Sequence, residues 1–272
     1  MDPLLANHEV RSSYRKALSE VQSTVYRLNT LQIDPEEAEK AGIHQLRMSK
    51  GKYMSLDQSS PDRPYFFTTY QGSIDKLNDP DILATWSDYQ PDSEISLNTY
   101  GISLFFASYL RESVLEHPPG VYSQQWGGLN FGNLFESLET GYHWKVHRTC
   151  LALTTFRMST GSDEPLPHIK CLIESEAISD DRLLRGELMA IIKIMIGRLD
   201  TKSLDTHIVA PVMLLSVMGP QHVRMLETYF NGVELVVRQS RLYDMRKFDL
   251  GVLERFTRWW FGYAIGETKA IA

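Results

Sequence analysis

The sequence predicts an α/β protein: a central mixed sheet flanked by helices, with a helical N-terminal half packed on it. Three observations predict this. Apolar residues recur at helical spacing through much of the first half. Three consecutive segments of strand chemistry follow residue 141. The continuous apolar run Ile208 to Met218 suits a central strand covered on both faces.

The first element is a helix over residues 10–31. Tyr14, Leu18, Val21, Val25 and Leu28 step by four and three and form one stripe. The stripe packs on its own domain, or, as an alternative, forms the seam of a homodimer. Asp34-Pro35-Glu36-Glu37 opens a second helix, with Asp34 at the N-cap and the glutamates at the positive end of the dipole. Residues 50–64 read as loop, and Tyr65 to Tyr70 as a short strand. Asp79-Pro80-Asp81 starts a helix ending near Tyr89. Residues 95–115 form a mostly buried helix carrying Leu97, Leu104, Phe105, Tyr109, Leu110 and Val114, stopped by His117-Pro118-Pro119-Gly120.

Beyond that stop the pattern changes, which divides the chain into a mainly helical region, 1–132, and a sheet-bearing core, 133–272, within one globular unit. Asn133 to Glu139 is a short helix. Tyr142 to Cys150, Leu151 to Ser159 and Ile169 to Ala177 are strands, the last two separated by a loop at 161–167. Asp180 or Asp181 caps a helix from Arg182 to Leu199, apolar nearly all round and so buried. After the 208–218 strand, in which Pro211 lacks a ladder donor, Gly219-Pro220 turns into a helix over Gln221 to Phe230. Asn231-Gly232 ends it, and Val233 to Arg238 is a further strand. Phe256, Trp259, Trp260 and Tyr263 form an aromatic stripe that caps the core.

Composition narrows the function. The 272 residues carry 34 acidic against 28 basic side chains, a net charge of −6. Phosphate backbones ask for a positive surface, so nucleic acid is not an expected partner. The start of the sequence shows no basic region followed by an apolar one, and no apolar run is long enough for a bilayer. Two cysteines do not make a disulfide scaffold. The expectation is a cytoplasmic, intracellular protein without a membrane partner.

No dinucleotide, Walker, nucleophile-elbow, zincin or Cys-x-x-Cys signature occurs. Gly127-Gly128-Leu129-Asn130-Phe131-Gly132 is glycine-rich, but its spacing is wrong for a phosphate cradle, and it reads as a tight loop. His143-x3-His147-x2-Cys150 has metal-ligand residue types. On a strand, however, the histidines stand about 13 Å apart, too far for one ion.

Two resemblances add to this. The second half, about residues 133–240, resembles in its element order α-β-β-β-α-β the PD-(D/E)xK nuclease core. In that family an acid on the second strand and a Glu-x-Lys on the third hold a divalent metal, Mg²⁺ or Mn²⁺, which prefers oxygen ligands. Here the third strand carries Glu174-Ser175-Glu176, with a glutamate in the lysine position. The second strand has no acid; the nearest are Asp163 and Glu164. In addition, His207 to Val212, Met218 to Arg224, Arg185-Gly186-Glu187-Leu188 and Leu242-Tyr243-Asp244 are similar to stretches of uncharacterised filamentous-fungal proteins.

The reading that follows is an enzyme or binder of a small, largely apolar metabolite in fungal specialised metabolism, non-nucleolytic and needing no cofactor. The abundance of aromatic and Met side chains suits an apolar pocket with a few polar groups. Candidate catalytic residues are Glu174, Glu176, His222 and Arg224, the last two at a strand end entering a helix. His168 and Trp126 are candidate substrate-binding residues. The alternatives are a metal-dependent nuclease, or an inactive relative that binds nucleic acid, with Glu174 and Glu176 as ligands to Mg²⁺ or Mn²⁺, and a non-enzymatic interaction protein.

Overall fold

A computed structural model describes residues 3–48, 65–74, 80–112, 124–128, 147–157, 164–178 and 180–269. In chain order the elements are α1 (Pro3–Arg27), β1 (Gln32–Ile33), α2 (Pro35–Lys40), β2 (Ile43–Arg47), α3 (Pro80–Leu83), α4 (Ile95–Glu112), β3 (Gln124–Gly128), β4 (His147–Arg157), β5 (Glu164–Ile178), β6 (Leu183–Leu184), α5 (Arg185–Asp200), β7 (Val212–Gly219), β8 (His222–Phe230), β9 (Leu235–Gln239), β10 (Tyr243–Asp244) and α6 (Leu250–Trp260).

One mixed sheet runs β2-β9-β8-β7-β5-β4-β3, with β10 added beside β8. The β5–β7 and β2–β9 pairs are parallel, and the others are antiparallel. The α/β class is therefore as expected, with helices on both faces of a mixed sheet. Strand alternation assigns the faces. Ile169, Cys171, Ile173, Val212 and Leu214 join an aliphatic core with α1 and α5. Leu172, Met213, Leu215, Val217, Val223 and Met225 join an aromatic core with α4 and α6.

The α1 stripe meets that first core: Leu18 and Val25 are fully buried there, and Tyr14 packs edge-on against Phe230. Most of what α1 leaves outward among the described side chains is polar, including Lys16, Ser19, Glu20 and Ser23, with Tyr26 exposed near its end. The aromatic stripe of Phe256, Trp259, Trp260 and Tyr263 is buried as expected.

Several local expectations are corrected. Residues 222–230 form strand β8, not a helix. Both of its faces are buried, so the period-two alternation is hidden, and Asn231-Gly232 begins the turn into β9 rather than ending a helix. The turn before it holds a cis Gly219–Pro220 bond and Gln221 at φ 60°. The divide placed between Cys150 and Leu151 lies inside one strand, β4, where a register shift marks it. Gly127 and Gly128 sit in strand β3 instead of a loop, and residues 164–167 belong to β5.

Ile43 to Arg47, unassigned from the sequence, is edge strand β2, so the first half contributes to the same sheet. The helix expected over 79–89 is a single turn, Pro80–Leu83. Helix α5 begins at Arg185, after Leu184, whose N–H donates to Glu187 Oε2 at 2.9 Å. Asp180 binds Arg182 instead of capping, whereas Asp34 holds the expected N-cap position of α2 but gives its carboxylate to Arg182 at 3.0 Å rather than to a helix N–H. Leu97 and Leu104, expected inside, are 61% and 50% exposed. The 133–139 helix and His143 lie outside the described residues.

Two ion pairs are buried on β8, one per face. Arg224 pairs with Glu187 of α5, and Glu227 pairs with Arg238, its cross-strand partner. Glu227 Oε1 also accepts the N–H groups of Tyr65, Phe66 and Phe67 at 3.0, 2.8 and 3.2 Å. Burial nonetheless pushes its carboxyl above the usual range, ahead of the opposing pull of Arg238 and those donors.

Candidate functional site

The end of β5 and the first turns of α4 enclose an open cleft of about 410 Å³, lined by Ser96, Leu97, Thr99, Tyr100 and Glu174 to Glu176. Glu174 and Glu176 share the parity of Leu172 and so face α4. The Ser103 hydroxyl donates to Glu174 Oε2, which ties the carboxylate to the helix. Thr99 and Ser103, one helical turn apart, are 2% and 1% exposed and face the sheet. Leu97 and Tyr100 stand outward at the rim, 61% and 46% exposed. Gly219 lets the end of β7 pack closely under the start of α4: a Cβ there would come within 2.4 Å of Ile95 and 3.1 Å of the Glu176 carbonyl.

Glu174 and Glu176 are therefore brought together, and the other candidates are placed elsewhere. His222 and Arg224 point to the opposite face, since Val223 between them joins the α4/α6 core. Arg224 is fully buried. Its Nε donates to Glu187 Oε1 at 2.8 Å, and its Nη1 donates to the Arg182 carbonyl at 2.7 Å, so it anchors β8 to the start of α5. His222 is half-buried beside Asp244, its pairing partner on β10. Burial lowers its pKa, opposed by the Asp244 charge.

His168 is on the face of Glu174 but six residues earlier on β5, about 20 Å away along the strand. It is buried against Phe66 and Phe67, with Nε2 2.9 Å from the Ile265 carbonyl. Trp126 lies in β3 as the partner of Thr155, and its side chain is outside the described residues. So are those of His147 and Cys150 in β4.

The sequence reading missed Thr99, Tyr100 and Ser103. A signal for two of them was present: polar Thr99 and Ser103 recur four apart on a helix face otherwise made of Ile102, Phe105 and Phe106.

A divalent ion at this cleft would meet the carboxylates of Glu174 and Glu176. The two glutamates are oxygen donors of the right kind, yet β4 contains no Asp or Glu, and the strand partner of Glu174 is Arg148. Among the described residues no group of three or more His, Cys, Asp or Glu is placed to hold a metal. A second open cleft, about 770 Å³, lies at the start of α6, where Asp244 grips Arg246 beside Tyr89 and Phe248. No helix among the described residues is long and apolar enough to cross a membrane. No protein-family model, curated protein or solved structure matches the chain.

Proposed function

We propose that the chain binds, and as an enzyme would act on, a small, largely apolar metabolite in the cleft between α4 and the end of β5. One observation carries this reading. The cleft sets exposed Leu97 and Tyr100 at its rim and places two carboxylates behind them. An apolar body would cover Leu97 and Tyr100, while a polar end would meet Glu174 and Glu176. Glu174, oriented by Ser103, is the group placed to take or share a proton with that end.

Within residues 133–240 the described order opens β4, β5, β6, α5, β7, so two of the three expected strands merge into β4. What supports a PD-(D/E)xK-like layout is the parallel pairing of β5 with β7 across the intervening α5. The donor set argues for a non-nucleolytic use of it, because β4, the strand beside β5, carries no Asp or Glu. Plasmid DNA incubated with the protein and Mn²⁺ is expected to stay intact; cleavage abolished by Glu174→Ala would overturn this reading. A cluster of neighbouring biosynthetic genes would place the protein in specialised metabolism.

The direct test is titration with N-phenyl-1-naphthylamine, a neutral apolar fluorophore. Saturable binding is expected, weakened roughly tenfold in Tyr100→Ala, which corresponds to about 1.4 kcal/mol. Binding that ignores both Tyr100→Ala and Leu97→Ser, or no binding at all, would sink the proposal.

A further inference from the structure

Residues 261–269 form a strap that returns from the end of α6 to the start of β7. It contains little regular structure, only single bridges between Phe67 and Ala264 and between His207 and Lys269. Backbone hydrogen bonds hold part of it. Thr68 N–H donates to the Tyr263 carbonyl at 2.9 Å, and Ile265 N–H donates to that of Phe66 at 2.9 Å. Ile208 and Val209 both donate to the Thr268 carbonyl.

Side chains from beneath hold the rest. Lys170 Nζ donates to the carbonyls of Trp260 and Gly262, each at 2.7 Å. His168 Nε2 meets the Ile265 carbonyl at 2.9 Å. A carbonyl only accepts, so Nε2 carries the proton and Nδ1 is the bare nitrogen. His207 Nδ1 lies 2.7 Å from Thr268 Oγ1.

Both rings are 2% exposed. Among the described residues, His168 Nδ1 and His207 Nε2 have no hydrogen-bond partner. The charges facing His168 are unfavourable to a proton: Lys170 on its own strand, Arg198 of α5, and His207 when charged. Around His207 the signs are mixed. Lys269 of the strap and Arg11 of α1 repel a proton there, while Glu164 of β5 and Glu267 of the strap attract one. Glu164 Oε1 is 3.9 Å from His207 Nε2, but it already accepts Lys269 Nζ at 2.6 Å.

We propose that residues 261–269 are an acid-released latch, in which a proton on His168 or His207 is accommodated only when the strap lifts from the sheet. Lifting it breaks no pairing between named strands, because none of them lies within it. Burial, first among the causes, holds His168 down to about 3 and His207 down to about 4 while the strap is closed. A histidine in water titrates near 6.5. The closed state thus binds fewer protons than the lifted one. Its full stability is present above about pH 6.5 and is lost as pH falls toward 4 and then 3. At pH 5 each histidine shifts the balance toward the lifted state by about 30-fold, and the two together by roughly a thousandfold.

Hydrogen exchange on the full chain at pH 7, 6 and 5, corrected for intrinsic rates, tests this. Opening of 261–269 relative to α5 is expected to rise steeply toward pH 5, by 30-fold or more. An unchanged ratio, or α5 opening in step with the strap, would overturn the proposal. In the double variant His168→Gln, His207→Asn, amides replace the ring nitrogens that hold the strap and cannot titrate in this range. It is expected to lose the pH dependence, and a retained dependence would count against the latch. Should that variant not fold, the wild-type comparison decides alone.

Discussion

The two faces of the sheet are covered by different kinds of chain. On one face, α1 and α5 dock as regular helices, and the core between them is mostly Leu, Ile, Val, Ala and Met. On the other, α4 and α6 share the cover with irregular segments, residues 65–74 and 261–269, and the core is rich in Phe, Tyr and Trp. A helix satisfies its own interior backbone groups, whereas an irregular segment does not. The second face therefore needs buried polar side chains under the chain that covers it. Glu227 accepts three successive N–H groups, Lys170 donates to two carbonyls, His168 to one, and Arg258 to those of Tyr70 and Gly72. On the helical face the corresponding cations serve helix ends: Arg11 caps the carbonyls at the end of α5 and just beyond it, and Arg185 those of Tyr26 and Leu28.

The sharpest way to break this comparison is to remove one acid from each face. Glu227→Ala strands Arg238 and three N–H groups, with an expected loss of about 3–5 kcal/mol in urea unfolding. Glu187→Ala strands Arg224 and one N–H, and it should fall at the lower end of that range. Equal losses would mean that the irregular cover makes no special demand. Next come the cores. Phe106→Ala is expected to cost about 3–5 kcal/mol and Ile191→Ala about 2–5, both residues being fully buried. Xenon binding in crystals of each variant would show which face leaves the larger cavity.

Lys170→Met should cost about 1–3 kcal/mol by thermal unfolding, because two carbonyls lose their donor. Its faster exchange should be confined to the strap. The smallest effect is expected at Asp200→Asn. That residue is 68% exposed beside Arg15, and the pair contributes at most about 1 kcal/mol, fading with salt.

How far the fold was legible depends on where each element finds its partner. Helix α5 and strand β7 were readable because an apolar run of their length has few other uses. Strand β8 was not. Its alternation carries Arg224, Glu227 and Thr228 into buried positions beside Val223, Met225 and Leu226, so no polar face marks the period. Ile43 to Arg47 was invisible because its neighbour among the described strands is β9, almost two hundred residues further on.

The cleft was half legible. Glu174 and Glu176 stood out as two acids on one face of a strand. The wall opposite them did not, because Leu97 and Leu104 looked like core residues until α4 was seen to turn them outward. Arg224 and His222 were singled out by their position at a presumed helix start. Once 222–230 is a strand, that position becomes a hairpin, and Arg224 serves the join between β8 and α5.

The β2–β9 pairing also bears on how the protein is made. Ile43 lies against Leu235 and Arg47 against Gln239. A ribosome must pass residue 239 before β2 can complete its pairing with β9. Through that interval its Ile43 and Leu46, and the Leu18, Val21 and Val25 stripe awaiting α5, are exposed on an unfinished chain. Synthesis runs at about 5–20 residues per second, so β2 waits roughly 10–40 s for β9. Chaperones that recognise short apolar segments would find binding sites between Leu18 and Leu46 during that interval.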